Sequence, residues 1–258
     1  MKNLARIMVA PNGARRGKAD HPALPVTIDE TVDAARACFA AGAPAIHAHV
    51  RDDKGGHTLD AGLYRELIAQ LSVAVPDMAV QITTEAVGRY SPGQQRQVVR
   101  DVMPKAVSVA LREMVPDEGE VRAAREFYHW ARDADIAVQH ILYEAGEVAE
   151  LFRRIEAGVI PADELQILFV LGRYAKDQQS EVSDMDPFLS ALALQDYVQG
   201  SVQWGLCAFG RNETDCLAEA VRRGGHARIG FENSLWNRDG LIAADNAERV
   251  RELVRVLG

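Results

Sequence analysis

The sequence predicts a (β/α)8 barrel with parallel strands, formed as one domain over residues 1–258. Three observations support it: eight strand-like runs alternate with amphipathic helical runs, the strands read as buried on both faces, and the length suits one such barrel. In order, the expected strands cover residues 6–10, 45–51, 79–84, 106–111, 137–143, 165–171, 202–209 and 227–231. Runs such as LQILFVLG are apolar almost throughout, as parallel strands covered on both sides must be, whereas a half-solvated antiparallel sheet would alternate. Parallel neighbours need long crossovers. The segments AGLYRELIAQL, EVAELFRRI, FLSALALQDYV, CLAEAVRRG and NAERVRELVRVL supply them, with apolar residues returning every three or four positions. Helix starts are marked locally by a Thr27–Glu30 capping box and by a Ser91–Gln94 box with Pro92 at the first helical position. A doubly wound open sheet is the alternative, but no glycine-rich dinucleotide loop supports it. Residues 173–186, RYAKDQQSEVSDMD, form either a loop over a site or a solvated connector.

Composition narrows the function classes. The formal net charge of −8 disfavours nonspecific nucleic-acid binding, which draws its affinity from phosphate neutralisation. Hydrophobic residues make up 48% of the 258, yet no apolar run approaches the roughly 20 residues that cross a bilayer, and the N-terminus lacks a secretory pattern. The expectation is a soluble cytoplasmic protein. Cys38, Cys207 and Cys216 are scattered and odd in number, which reads as reduced packing residues and not a disulfide framework.

In a barrel of this kind, reactive groups gather at the carboxyl ends of the strands. There the sequence places His47-Ala48-His49, whose two imidazoles, two residues apart on an extended strand, project from one face. Glu232 ends the eighth strand, which closure brings beside the first and near the second, so its carboxylate can join the imidazoles around a divalent metal and leave positions for water or substrate. The alternatives are that the histidines cap a strand or lie in a polar core layer, and that Glu232 pairs with Arg228 or Arg51. Asn12, Gly13, Thr83, Thr84 and Ser108 converge on the same end as candidate substrate contacts, and Arg228 as a candidate catalytic group. Each also has a plain structural explanation, as a turn, a strand former, a buried hydroxyl or a surface ion pair. His21, His57, His129, His140 and His226 lack paired spacing and read as loop, helix-face or packing residues.

The motifs APNGA, KADHPALPVT, AGAPAIHAHVRD, FVLG, WGLCAFGR, GGHARIGFEN and DNAERV occur in order over nearly the whole chain. Together they resemble the β-keto acid cleavage enzyme family, which includes 3-keto-5-aminohexanoate cleavage enzymes. The resemblance implies a zinc-containing barrel, usually oligomeric and here suspected to be a homotetramer. It would convert a β-keto acid and acetyl-CoA into acetoacetate and a new acyl-CoA. It also implies metal ligation by His47, His49 and Glu232, charge stabilisation or steering by Arg228, and hydrogen bonding to substrate by Thr83 and Ser108.

Departures from the family pattern bear on the substrate. Asn233 stands at a candidate catalytic position where many relatives carry aspartate, and an amide does not take up protons as a carboxylate does. Arg15 follows NGA where the amino-acid-cleaving branch has a glutamate, Ile141 replaces a further acidic position, and Glu85-Ala86 replaces a glycine pair. An anionic or neutral β-keto acid is therefore expected in preference to an amino-keto acid, with Arg15 as a candidate substrate contact. The loop after FVLG lacks the family's glycine-rich stretch, leaving Arg89, Arg173, Lys176 and Arg211 as basic candidates for a CoA contact. Competing readings are a metal-dependent hydrolase or lyase on the same barrel, and a non-catalytic barrel that binds a metal or keto acid.

Overall fold

In the computed structural model, which describes residues 3–196 and 202–258, ten strands follow one another along the chain. They are β1 (Ile7–Val9), β2 (Ala45–Ala48), the short pair β3 (Val50–Arg51) and β4 (His57–Thr58), then β5 (Ala79–Thr83), β6 (Ala106–Ala110), β7 (Ala137–Leu142), β8 (Leu165–Leu171), β9 (Val202–Ala208) and β10 (His226–Ile229). All except β3 and β4 close a parallel barrel in the order β1, β10, β9, β8, β7, β6, β5, β2. The helices between them are α1 (Ile28–Ala41), α2 (Ala61–Ala74), α3 (Pro92–Val102), α4 (Leu111–Met114), α5 (Val121–Asp133), α6 (Gly146–Glu156), α7 (Asp186–Ala193), α8 (Glu213–Arg222) and α9 (Asn246–Leu257). Of the expected helical segment FLSALALQDYV, residues 197 and 198 lie outside the described residues.

Local signals account for these elements. Thr27 caps α1 and Ser91 caps α3, each in a reciprocal box with Glu30 or Gln94, so backbone N–H groups that a helix start leaves open are satisfied. One strand face belongs to the main core, where Ile46, Ile82, Val107 and Phe169 are buried with helix residues such as Leu67, Val99 and Phe127. The opposite face fills the barrel, and part of that filling is polar: Gln81 Nε2 donates to Gln139 Oε1 at 3.2 Å. No described helix is long and apolar enough to cross a membrane.

Two strand ends differ by more than one residue from the sequence expectation. The strand expected over 45–51 leaves the barrel after Ala48, because β1 stops at Val9 and offers His49 no backbone partner. The Asn12 side chain takes that place, donating to the His49 carbonyl at 2.9 Å and accepting from its N–H at 3.3 Å. Val50 and Arg51 then pair antiparallel with Thr58 and His57. At the other end, β10 stops at Ile229 instead of residue 231. Gly230 has φ 144°, and a Cβ there would stand 2.4 Å from the Ala10 carbonyl oxygen, so the approach needs glycine.

The polar segment after β8 lies against the end of β9. Ser180 Oγ donates to the Phe209 carbonyl at 2.7 Å, Asn212 donates to the Ser180 carbonyl at 3.0 Å, and the Arg211 N–H donates to Gln179 at 3.0 Å.

His140 faces Tyr128 of α5 at a ring distance of 5.2 Å, and burial pulls its imidazole down to about 4 from an ordinary value of 6.5. Between those values the unfolded chain takes up a proton that the folded chain refuses. The stability this histidine contributes is therefore complete above pH 6.5 and is lost as pH falls toward 4. Urea unfolding at pH 7 and pH 5 should show His140→Phe losing about 2 kcal/mol less than the unmodified protein over that interval.

Candidate active site

Three ligand atoms meet at the carboxyl end of the barrel. His47 Nε2 and His49 Nε2 are 3.2 Å apart, and Glu232 Oε2 lies 3.7 Å from each. Both imidazoles are buried. The proton positions follow from the neighbours. His47 Nδ1 lies 2.8 Å from Gln81 Oε1, and because Gln81 spends its amide nitrogen on Gln139, His47 must donate there, which leaves Nε2 bare. The second imidazole is fixed through His57, whose Nε2 is 2.9 Å from the Glu85 carbonyl, an acceptor only, so His57 carries its proton there. His57 Nδ1 then accepts from His49 Nδ1 at 3.4 Å, and His49 Nε2 is bare as well.

Burial pulls His47 down to about 4, with Arg228 acting in the same direction, and it also lowers His49, helped by His57 and His47. Both rings are therefore neutral at pH 7, the form that binds a metal. Two facing lone pairs and a carboxylate oxygen with no hydrogen-bond partner among the described residues form an acceptor-only cluster. A tetrahedral ion with bonds of about 2.0–2.1 Å sets its ligands roughly 3.3–3.4 Å apart, close to these separations. His47, His49 and Glu232 fit a divalent cation.

Two arginines lock the loops that bring these atoms together. The buried Arg51 donates to the carbonyls of Gly13, Arg16 and Gly55, fixing the loop after β1. From that loop Arg16 donates to the Phe231 carbonyl at 2.6 Å and to the carbonyls of Glu232 and Asn233 at 3.3 Å each. Gly13, expected as a substrate contact, also makes room: a Cβ there would stand 2.6 Å from Glu232 Cγ.

Beside the cluster opens a cavity of about 740 Å³ including its mouth. Of the residues expected to bind substrate or act in catalysis, Asn12, Gly13, Arg15, Thr83, Ser108 and Arg228 line it. Arg228 is 5% exposed, and its Nη2 lies 3.4 Å from Glu232 Oε1 and 3.5 Å from Cys207 Sγ. Its Nε and Nη1, and the hydroxyl of Ser108, have no hydrogen-bond partner among the described residues. Thr83 Oγ1 accepts from the Glu85 N–H at 3.1 Å, and Arg15 is exposed at the mouth. Glu85, on the cavity wall, pairs with Arg173 at 3.4 Å, and burial followed by the charge of Glu232 pushes its carboxyl up to about 7.

Residues 5–258 match a protein-family model described as beta-keto acid cleavage enzyme. The chain belongs to the β-keto acid cleavage enzyme family. It is therefore an enzyme. A 3-keto-5-aminohexanoate cleavage enzyme from Fusobacterium nucleatum subsp. nucleatum is 28% identical over 97% of this chain and 90% of its own length. A 3,5-dioxohexanoate:acetyl-CoA acetone transferase from Paraburkholderia graminis is 25% identical over 97% and 89%. Among solved structures, apo ObcA superposes with a TM-score of 0.68 at 14% identity, covering 91% of this chain. The chain spans 61% of ObcA's length, and this likeness concerns the fold.

In this member of the family two expected site residues turn away from the cavity. Thr84 is not part of its wall, and its hydroxyl donates to the Ser108 carbonyl at 3.1 Å, since neighbouring strand residues face opposite sides. Asn233 is fully buried and directs its amide toward Glu213 Oε1 and the Arg228 carbonyl, at 3.4 Å each, so the structure does not bring it to the cavity. Glu213 is held by Arg249 at 2.8 Å, and both side chains are fully buried. Reading the sequence missed His57 and Arg16. The only available signal for His57 was its place after the Asp52–Gly56 turn, where a hairpin returns the chain toward His49.

His47→Ala should abolish tight binding of one divalent ion per chain, measured by metal analysis after dialysis, while the far-ultraviolet circular dichroism of the barrel is unchanged. His57→Phe should keep the ligands but weaken affinity by roughly 10- to 100-fold in a chelator competition, as loss of a ligand-orienting partner does.

Proposed function

We propose that this enzyme exchanges acyl groups between a β-keto acid and acetyl-CoA, releasing acetoacetate and a new acyl-CoA. The reading rests on one observation: a cation-ready cluster, a buried arginine with two nitrogens and a buried hydroxyl that have no hydrogen-bond partner among the described residues share a single cavity. The relative named as an acetyl-CoA acetone transferase supports the same chemistry. In the net reaction the bond between the keto carbon and C2 breaks, and C2 bonds to the acetyl carbonyl carbon. The displaced acyl group takes the CoA sulfur that the acetyl group leaves.

Zinc is the ion we assign, because two neutral imidazoles and one carboxylate with a position left open suit it. When bound there, it supplies Lewis-acid polarisation of keto-acid oxygens without redox chemistry. Arg228 holds the substrate carboxylate: its Nε and Nη1 are open donors on different edges of the guanidinium, either of which can give a charge-assisted hydrogen bond, and the buried setting strengthens the pairing. Ser108 and Thr83 offer hydroxyl protons to the remaining substrate oxygens. Thr83 can do so because its oxygen, not its proton, serves the Glu85 amide. Asn233 positions the loop that bears Glu232 and takes no proton. Arg173 is held by Glu85, and Arg211 donates to the Gly240 carbonyl at 3.2 Å, so Arg15 at the mouth is the more accessible cation for acetyl-CoA. The active assembly is proposed to be a homotetramer.

With zinc-loaded protein, acetoacetate should form from a β-keto acid only when acetyl-CoA is present, in step with the new acyl-CoA. Arg228→Ala should lower kcat/KM by about 100-fold, equivalent to about 3 kcal/mol, with metal content retained. Product release without CoA would indicate a hydrolase or lyase, and binding without turnover a non-catalytic barrel.

A further inference from the structure

We infer that the β-keto acid carries an uncharged aliphatic acyl chain, which rests against an apolar wall formed by Ala110, Ile141, Val170 and Phe209. The inference rests on the acyl-exchange reading and names the class of its substrate. The cavity has two unlike halves. The strand ends of β10, β1, β2 and β5 contribute Arg228, Glu232, Asn12, His47 and Thr83. The ends of β6 to β9 contribute the four wall residues, each less than 9% exposed, which join Leu168 and Cys207 in one buried cluster, while Ser108 and the following Glu113, Tyr143 and Arg173 border it. A substrate whose carboxylate is held by Arg228 at the polar half points its remaining chain across the barrel toward that cluster.

Apart from Arg15 at the mouth, which the acyl-exchange reading gives to acetyl-CoA, the further charged groups of the cavity wall are already engaged by protein atoms. Arg16 is spent on three backbone carbonyls. Arg173 is paired with Glu85 and lies over the Phe209 ring at 5.2 Å. Glu113 accepts from the Ala86 N–H at 3.0 Å and from Gln95 at 2.9 Å. Arg15 is solvated at the mouth. An ammonium or second carboxylate on the acyl chain would either lie unpaired against apolar side chains or have to compete with these protein partners, and both are costly. A methylene placed on the same wall gains about fourfold in transition-state binding.

The test is kcat/KM with acetyl-CoA for 3-oxopentanoate, 3-oxohexanoate, 3-oxoadipate and 3-oxo-5-aminohexanoate. The expected result is a rise of about fourfold from 3-oxopentanoate to 3-oxohexanoate, with the dicarboxylate and the amino acid at least roughly 100-fold below 3-oxohexanoate. Ile141→Glu should narrow or reverse the gap to the amino substrate. Val170→Ala, a milder change, should reduce the gain per methylene while the protein remains folded. If a charged substrate equals or exceeds 3-oxohexanoate, the inference is overturned and acyl exchange stands. If none of the four turns over, both readings are overturned.

Discussion

Two imidazole lone pairs and a carboxylate oxygen face one another at the top of the barrel with no proton available to sit between them. A cluster of acceptors alone is repulsive, and burial makes the repulsion stronger because little water screens it. The surrounding structure holds it in place. Gln81 and Gln139 fix one ring, His57 and the Glu85 carbonyl fix the other, and Arg51 and Arg16 join the loops after β1 and β10 so that Glu232 cannot swing away. A cation at the meeting point would relieve that repulsion, and under the proposed function it would also supply Lewis-acid chemistry.

Barrel closure is what lets residues so distant in sequence cooperate. β10 pairs with β1, and β1 with β2, so the glutamate after β10 reaches the histidines at the end of β2 across one intervening strand. The same closure sets an apolar arc from β6 to β9 opposite the cation cluster. One end of a substrate can be held by charge and the other by burial, which fixes its orientation without a large binding surface.

Much of this was legible in the sequence. Apolar runs and capping boxes marked the elements, and the HxH spacing together with a glutamate after the last strand marked the cluster. What could not be read depends on side chains that replace backbone. Asn12 reads as a turn residue, yet its amide completes the strand ladder at His49, which ends β2 three residues early and starts the hairpin that delivers His57. Thr83 and Thr84 look alike in sequence, but Gln81 faces His47 inside the barrel, and counting by two from it selects Thr83. Asn233 read as a departure at the reacting centre. Its surroundings, Glu213 and the Arg249 that pairs with it, come from α8 and α9, and no local pattern announces them.

X-ray absorption at the metal edge of the zinc-loaded protein addresses the cluster most directly. The expected spectrum shows a first shell of nitrogen and oxygen at about 2.0–2.1 Å with the outer-ring scattering of two imidazoles, reduced to one imidazole in His49→Ala. A shell of oxygen alone, or one left unchanged by that substitution, would contradict this ligand set.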